Sequence, residues 1–183
     1  LAQRLITEAD RDISVLNLFA YTGGATVACL KAGAKVTHVD ASKGMVSWAK
    51  ENAAASKLAD KNVRWLVDDC IKFVKREIRR NNRYDAVIMD PPSYGRGPNG
   101  EIWKLEQQLF ELLTNVGKIL SDKPLFFLLN SYTGGLSPTI LNYMVKRCIA
   151  PKNKGKIFTE EIGLKVTKRD IVLPCGNTTI WTE

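Results

Sequence analysis

SVLNLFAYTGGATVACLKAGAKVTHVD, residues 14–40, reads as a strand, a glycine-bearing turn, a helix and a second strand. The apolar run at 14–19 is followed by Thr22, Gly23 and Gly24, then by a helical period near 25–32, then by KVTHVD at 35–40. Two strands joined through a helix lie parallel, because the crossover returns the chain to its starting edge before the second strand begins. The unit predicts an open parallel α/β sheet, and such sheets gather ligands at the carboxyl ends of their strands.

The same alternation continues outward. Further strands are expected in VRWLV (63–67), YDAVIM (84–89) and LFFLLN (125–130), with helices near 43–56, 69–80, 102–119 and 137–149. The tail differs: GKIFTEEIGLK (155–165) and TTIWTE (178–183) are strand-like with no helix between them, so they pair antiparallel. The fold class is therefore α/β, Rossmann-like: a mostly parallel seven-stranded sheet with an antiparallel C-terminal strand and helices on both faces. No internal repeat, low-complexity tract or linker interrupts it.

Composition bounds the function. A chain of 183 residues makes about one domain, residues 1–183, that buries its own core. A start at Leu1 suggests a domain cut from something longer, its C-terminal part. No apolar run approaches the roughly 18 residues of a membrane span, so no membrane partner is expected. Cys29, Cys70, Cys148 and Cys175 have no CxxC spacing, which argues against zinc or any other metal and against a disulfide framework, and for a reducing, cytoplasmic setting.

The net charge of +8 favours polyanionic partners. Basic residues concentrate in IKFVKREIRRNNR (Lys72, Lys75, Arg76, Arg79, Arg80, Arg83) and in PKNKGK (Lys152, Lys154, Lys156). The first run is either a solvated helix face or a surface that tracks phosphates. Nothing in the sequence fixes an oligomeric state.

The strand ends carry the chemistry. After Phe19, the Thr22–Gly24 turn lets backbone approach a ligand, and the free N–H groups of the next helix suit an anion. The dinucleotide fingerprint GxGxxG is absent. The second strand ends in HVDAS, where Asp40 can accept hydrogen bonds from vicinal ribose hydroxyls. His38, the one histidine, is expected to be packed rather than catalytic. The third strand ends in WLVDDC, and Asp69 is either an N-cap or an acceptor for an adenine amino group, with Asp68 the less favoured neighbour. The fourth runs into MDPPSYGRG (89–97), whose prolines fix φ and push Asp90 out of helical space to the extended end of its strand.

With these motifs in this order, the chain resembles the class I S-adenosylmethionine-dependent methyltransferases. Within them it is most similar to the ribosomal RNA methyltransferases and relatives that carry FxYTGG, VDAS and DPPxF/Y. The likeness runs from about residue 14 to the C-terminus and is nearly continuous over VTHVDASKGMVSWAKENAAAS (36–56) and DPPSYGRGPNGEIWKLEQQLF (90–110). It implies S-adenosyl-L-methionine as cofactor, with the turn of Tyr21, Thr22, Gly23 and Gly24 at its methionine moiety, Asp40 at its ribose and Asp69 at its adenine. Phe19, Ala41, Ser42, Cys70 and Asp90 complete the cofactor-binding positions so implied. Two positions depart from the wider superfamily: Asn17 stands where an acid is usual, leaving the contact to the methionine ammonium open, and Tyr21 stands where glycine is usual.

Methyl transfer from a sulfonium is an in-line displacement, so holding the nucleophile against the methyl group supplies most of the catalysis. A strand-end carboxylate can grip a base amino or ring N–H, and an aromatic can stack on the base. The resemblance thus makes Asp90, Pro91, Pro92 and Tyr94 the catalytic set, with GRGPNG (95–100) folding over the site. Ser93 separates Tyr94 from the prolines, so exocyclic amino methylation does not follow. Pyrimidine C5 methylation needs a cysteine that adds to C6. The stretch after the fifth strand, NSYTGG (130–135), has no thiol, and Cys175 in LPCGNT is expected in a structural surface turn.

The expected activity is non-covalent methyl transfer to a base of RNA, ribosomal RNA first. Its competitors are a methyltransferase of small molecules or proteins, and an inactive RNA-binding module of the same fold. A nicotinamide-dependent oxidoreductase fits Asp40 but neither the glycine spacing nor DPPSY.

Overall fold

The computed structural model describes residues 1–150 and 154–183. In chain order the elements are α1 (Ala2–Glu8), β1 (Ser14–Leu18), α2 (Gly24–Lys31), β2 (Lys35–Asp40), α3 (Lys43–Ala55), β3 (Val63–Val67) and α4 (Cys70–Arg79). They continue as β4 (Ala86–Met89), β5 (Tyr94–Arg96), β6 (Ile102–Lys104), α5 (Leu105–Val116), β7 (Phe126–Ser131), α6 (Pro138–Cys148), β8 (Lys156–Lys165) and β9 (Val172–Thr182).

The main sheet has seven strands in the order β3-β2-β1-β4-β7-β9-β8. The first five are mutually parallel, and β9 inserts antiparallel between β7 and β8. Strand alternation feeds two cores. Ala86, Ile88 and Phe126 join Ile6 of α1 and Leu30 of α2 on one face. Val87, Met89 and Phe127 join Phe73 of α4, Leu109 of α5 and Leu141 of α6 on the other. Strand β4 is buried along its whole length, as its unbroken apolar run AVIM requires of a central strand covered on both faces.

Helix α1 precedes the first strand, its Ile6 turned into the core while Arg4 and Glu8 pair across one exposed turn. Two local expectations need correction. The helix expected near 102–119 starts only at Leu105, because Ile102–Lys104 pair with Tyr94–Arg96 as a separate two-stranded hairpin. Cys175 lies within β9, not in a surface turn. Ile162 pairs with Gly176 and Gly163 with Pro174, so Cys175 is the extra residue of a bulge. Pro174 and Gly176 resemble turn signals, but bulges accommodate both.

The basic run on α4 is largely neutralised by the chain itself. Lys72 pairs with Glu101, Lys75 with Glu111 at 2.7 Å, Arg76 with Asp68, and Arg80 with Glu77 at 3.3 Å. The solvated-face alternative therefore describes most of this helix. In the second run, Lys154 and Lys156 are exposed and Lys152 lies outside the described residues. Among the described residues no helix is long and apolar enough to cross a membrane, and the four cysteines are free.

Candidate active site

Because β1 to β3 wind one way from the middle of the sheet and β4 and β7 the other, the topological switch lies between β1 and β4. A crevice of about 420 Å³ opens over this carboxyl edge, within the range of small-molecule clefts. Strand order lines up its walls. Asp69 and Cys70 follow β3, Asp40 to Ser42 follow β2, Phe19 and Tyr21 follow β1, Asp90 to Pro92 follow β4, and Tyr132 follows β7. The hairpin β5–β6 closes the side with Gly95, Arg96, Gly97 and Trp103.

Asp40 organises the β1 exit. Its Oδ2 accepts from the Tyr21 amide at 2.8 Å and its Oδ1 from the Ser42 amide at 2.9 Å. Phe19 and Tyr21 both adopt positive φ, +54° and +47°, a region costly for bulky side chains. The Asp40 carboxylate is what holds Tyr21 there. Each of its oxygens keeps a lone pair for a further donor.

Of the glycine turn, Tyr21 lines the crevice, whereas Thr22, Gly23 and Gly24 are not among its lining residues. Gly23 has φ +80°, and a Cβ there would come within 2.9 Å of the Ala49 Cβ, so glycine serves the close packing of turn on α3. The Thr22 carbonyl accepts from Asn52 of α3 at 2.9 Å.

Below the turn, Asn17 donates to Thr26 at 3.0 Å, and Thr26 meets His38 Nδ1 at 2.9 Å. All three are buried, so Asn17 does not reach the crevice. Burial lowers the His38 pKa to about 4, which keeps the ring neutral as a packed residue against Trp65.

The two readings of Asp69 coexist. Its Oδ1 caps α4 by accepting from the Lys72 amide at 2.8 Å, while the same side chain lines the crevice. Oδ2 carries no hydrogen bond among the described residues. Asp68 turns away to Arg76. Burial pushes the Cys70 thiol far up, with Asp40 and Asp69 adding to the effect, so the one lining cysteine is no thiolate nucleophile.

Asp90 stands accessible at the crevice, yet its crowded surroundings raise its pKa. Tyr132 and Asn130 beside it act in the opposite sense. Loss of solvent, then Asp90 itself, push Tyr132 up to about 12, so the phenol keeps its proton. Three residues beyond Asp90 and one beyond Tyr132, the hydroxyls of Ser93 and Thr133 meet at 2.6 Å. The segment after β7 is thus the brace of the Asp90 bracket. Sequence reasoning inspected that place only for a thiol and passed over Tyr132, although its position after a central parallel strand was the available signal.

Tyr94 lies on strand β5 of the hairpin. It is 52% exposed and does not line the crevice. Alternation along β5 turns Gly95 inward, opposite Trp103 of β6. Trp103, which is buried, donates its Nε1–H to the Pro92 carbonyl at 2.6 Å and packs on Phe19 with ring centroids 5.0 Å apart. The aromatic lining is therefore Phe19, Tyr21, Trp103 and Tyr132.

The sequence profile of the S-adenosylmethionine-dependent methyltransferases matches residues 1–127. The chain is 37% identical over 122 residues to ribosomal RNA large subunit methyltransferase K/L of Pseudoalteromonas atlantica, and 34% over 123 residues to the protein of that name from Shewanella baltica. Each match covers 66% of this chain and 17% of the relative, so the chain spans well under a fifth of those proteins. Among solved structures it is similar to an S-adenosylmethionine-dependent methyltransferase from Agrobacterium tumefaciens, at 35% identity and TM-score 0.94, covering 99% of this chain and 59% of that one. Magnesium protoporphyrin IX methyltransferase from Synechocystis, with bound S-adenosylmethionine, shares the fold at 13% identity and TM-score 0.64, covering 100% of this chain and 76% of that one.

Proposed function

Because the chain belongs to the S-adenosylmethionine-dependent methyltransferases, we propose that it methylates a base in RNA, ribosomal RNA in the first instance, with Asp90 orienting the base. The observation that carries this reading is the Asp90 bracket. An accessible carboxylate on two prolines, steadied by Tyr132 and Asn130, faces the same crevice as Asp40 and Asp69. The relatives named for large-subunit ribosomal RNA support that substrate class. In this reading residues 1–183 are the methyltransferase domain of a larger cytoplasmic enzyme.

The residues present fit the cofactor. Asp40 offers two carboxylate oxygens, already fixed by backbone amides, to vicinal hydroxyls. Asp69 offers Oδ2 to an amino group, and three carboxylates suit a cationic ligand. When bound, S-adenosylmethionine supplies a methyl group on a sulfonium that departs as a neutral thioether. The chain then has to position rather than activate. Asp90 accepts from a base N–H and fixes the angle of approach, Pro91 and Pro92 hold that carboxylate at the strand end, and Phe19 and Trp103 keep water from the wall. Without an ionised thiol in the crevice, transfer proceeds directly to a base atom that already bears a lone pair.

The direct test incubates the protein with methyl-labelled S-adenosylmethionine and total RNA from cells lacking its gene, followed by digestion and mass spectrometry of nucleosides. One methylated nucleoside is expected to appear in RNA. Label found only in protein or in small molecules would overturn the substrate class.

The Tyr132 hydrogen bond favours the ionised form of Asp90. Tyr132→Phe therefore raises the Asp90 pKa and moves the acid limb of the kcat/KM profile to higher pH, with about a tenfold loss below that limb. A pH–rate series on both proteins checks this. An unmoved limb would uncouple Tyr132 from Asp90.

A further inference from the structure

The hairpin β5–β6 has two unlike faces. Inward, Gly95 and Trp103 form the crevice wall. Outward, the register places Tyr94 opposite Lys104 and Arg96 opposite Ile102, and all four side chains are exposed. The hairpin is fixed at both ends. The Leu105 amide donates to the Ser93 carbonyl at 3.0 Å, the Gly97 amide to the Glu101 carbonyl at 2.8 Å, and Glu101 is tied to the Asn99 amide at 2.9 Å and to Lys72 on α4. Its outer face is a held surface on a structured element.

Charge distinguishes this face from the basic run of α4. Four cations of α4 are matched by carboxylates of the same chain. Among the described residues, neither the Arg96 guanidinium nor the Lys104 ammonium has such a partner. The exposed Tyr94 ring neighbours both, facing Lys104 directly across the strands and Arg96 two residues along β5. Arg96 also lines the crevice, so the face and the site are continuous.

An aromatic ring between unpaired cations is the chemistry that unpaired nucleic acid meets on its binding proteins, bases stacking and phosphates pairing. A duplex would not serve, because a base must be splayed out to reach Asp90. Resting on the RNA reading of the crevice, we propose that the outer face of this hairpin is a platform for unpaired RNA nucleotides flanking the target base. Tyr94 stacks on a neighbouring base there, and Arg96 and Lys104 each take a phosphate. The role expected for Tyr94 in the crevice is thereby moved to the adjoining nucleotide.

The experiment titrates the full chain with a labelled single-stranded RNA of mixed sequence, about 12 nucleotides long, at several KCl concentrations. Circular dichroism and thermal unfolding show that each variant is folded, and calorimetry with S-adenosylhomocysteine reads its cofactor affinity separately. Wild type is expected to show a steep decrease of log K with log salt. The double variant Arg96→Gln, Lys104→Gln should reduce that slope by about 1.4, two phosphates on a single strand. Tyr94→Ala should weaken binding about fivefold or more at unchanged slope, with Tyr94→Phe restoring it. Variants that match wild type in slope and affinity, while wild type binds RNA, would overturn the platform and leave the methylation reading standing. Loss of cofactor affinity with intact RNA binding in the Arg96 variant would assign that side chain to the cofactor and likewise overturn it. A wild-type protein with neither RNA affinity nor methyl transfer to RNA would remove the reading itself.

Discussion

Replacing Asp90 with asparagine is expected to lower kcat for RNA methylation by about 10²–10⁴-fold, the range seen when a positioned polar catalytic group is lost. S-adenosylmethionine affinity should stay within a few-fold of wild type. The split follows from geometry. Asp90 sits at the β4 end, beside Tyr132, whereas Asp40 and Asp69 lie two and three strands away along the same edge. Asparagine preserves the shape between Pro91 and Tyr132 but removes the charge and one acceptor, so the grip on a base N–H weakens while the crevice stays formed. Asp90→Ala should match or exceed the loss, since it also removes the shape between Pro91 and Tyr132. Single-turnover kinetics, with cofactor affinity measured separately by calorimetry, checks both variants. Wild-type turnover in either would remove Asp90 from the chemistry.

How far the sequence reveals such a site depends on the range of the interactions that build it. The β1–α2–β2 unit was legible because strand and helix periods follow one another within a single short window. Once the strands are parallel, Asp40, Asp69 and Asp90 must share an edge, so their convergence was legible too. The hairpin was not. Its strands span Tyr94–Arg96 and Ile102–Lys104, too short for a period-2 pattern, and EIWKLEQQLF reads as one continuous helix. What breaks it is Trp103 reaching back to Pro92. The partners of α4 were equally hidden, since Glu101 and Glu111 are brought to Lys72 and Lys75 only by the packing of the hairpin and α5. Asn17 shows the reverse limit: its place in a motif suggested a ligand contact, and only the buried chain through Thr26 to His38 shows where it points.

Replacing Asp40 is expected to raise the Kd for S-adenosylmethionine by about 10²–10⁴-fold, the equivalent of two hydrogen bonds to a charged group. Asparagine should be nearly as harmful as alanine. The carboxylate accepts from the Tyr21 and Ser42 amides on separate oxygens, and an amide side chain has one oxygen to offer and would turn its own N–H₂ toward the other donor. Part of the loss is therefore conformational, because Tyr21 at φ +47° loses the bond that holds it. Thermal unfolding should register that part as about 1–2 kcal/mol of stability. The ligand part is separated by a cycle with a cofactor analogue lacking the ribose 2′-hydroxyl. If Asp40 receives that hydroxyl, deleting it costs affinity in the wild-type protein and almost none in Asp40→Ala, and the two losses fail to add. Additive losses would leave Asp40 as a scaffold for Tyr21 alone, and the ribose would have to be held by another group on the crevice wall.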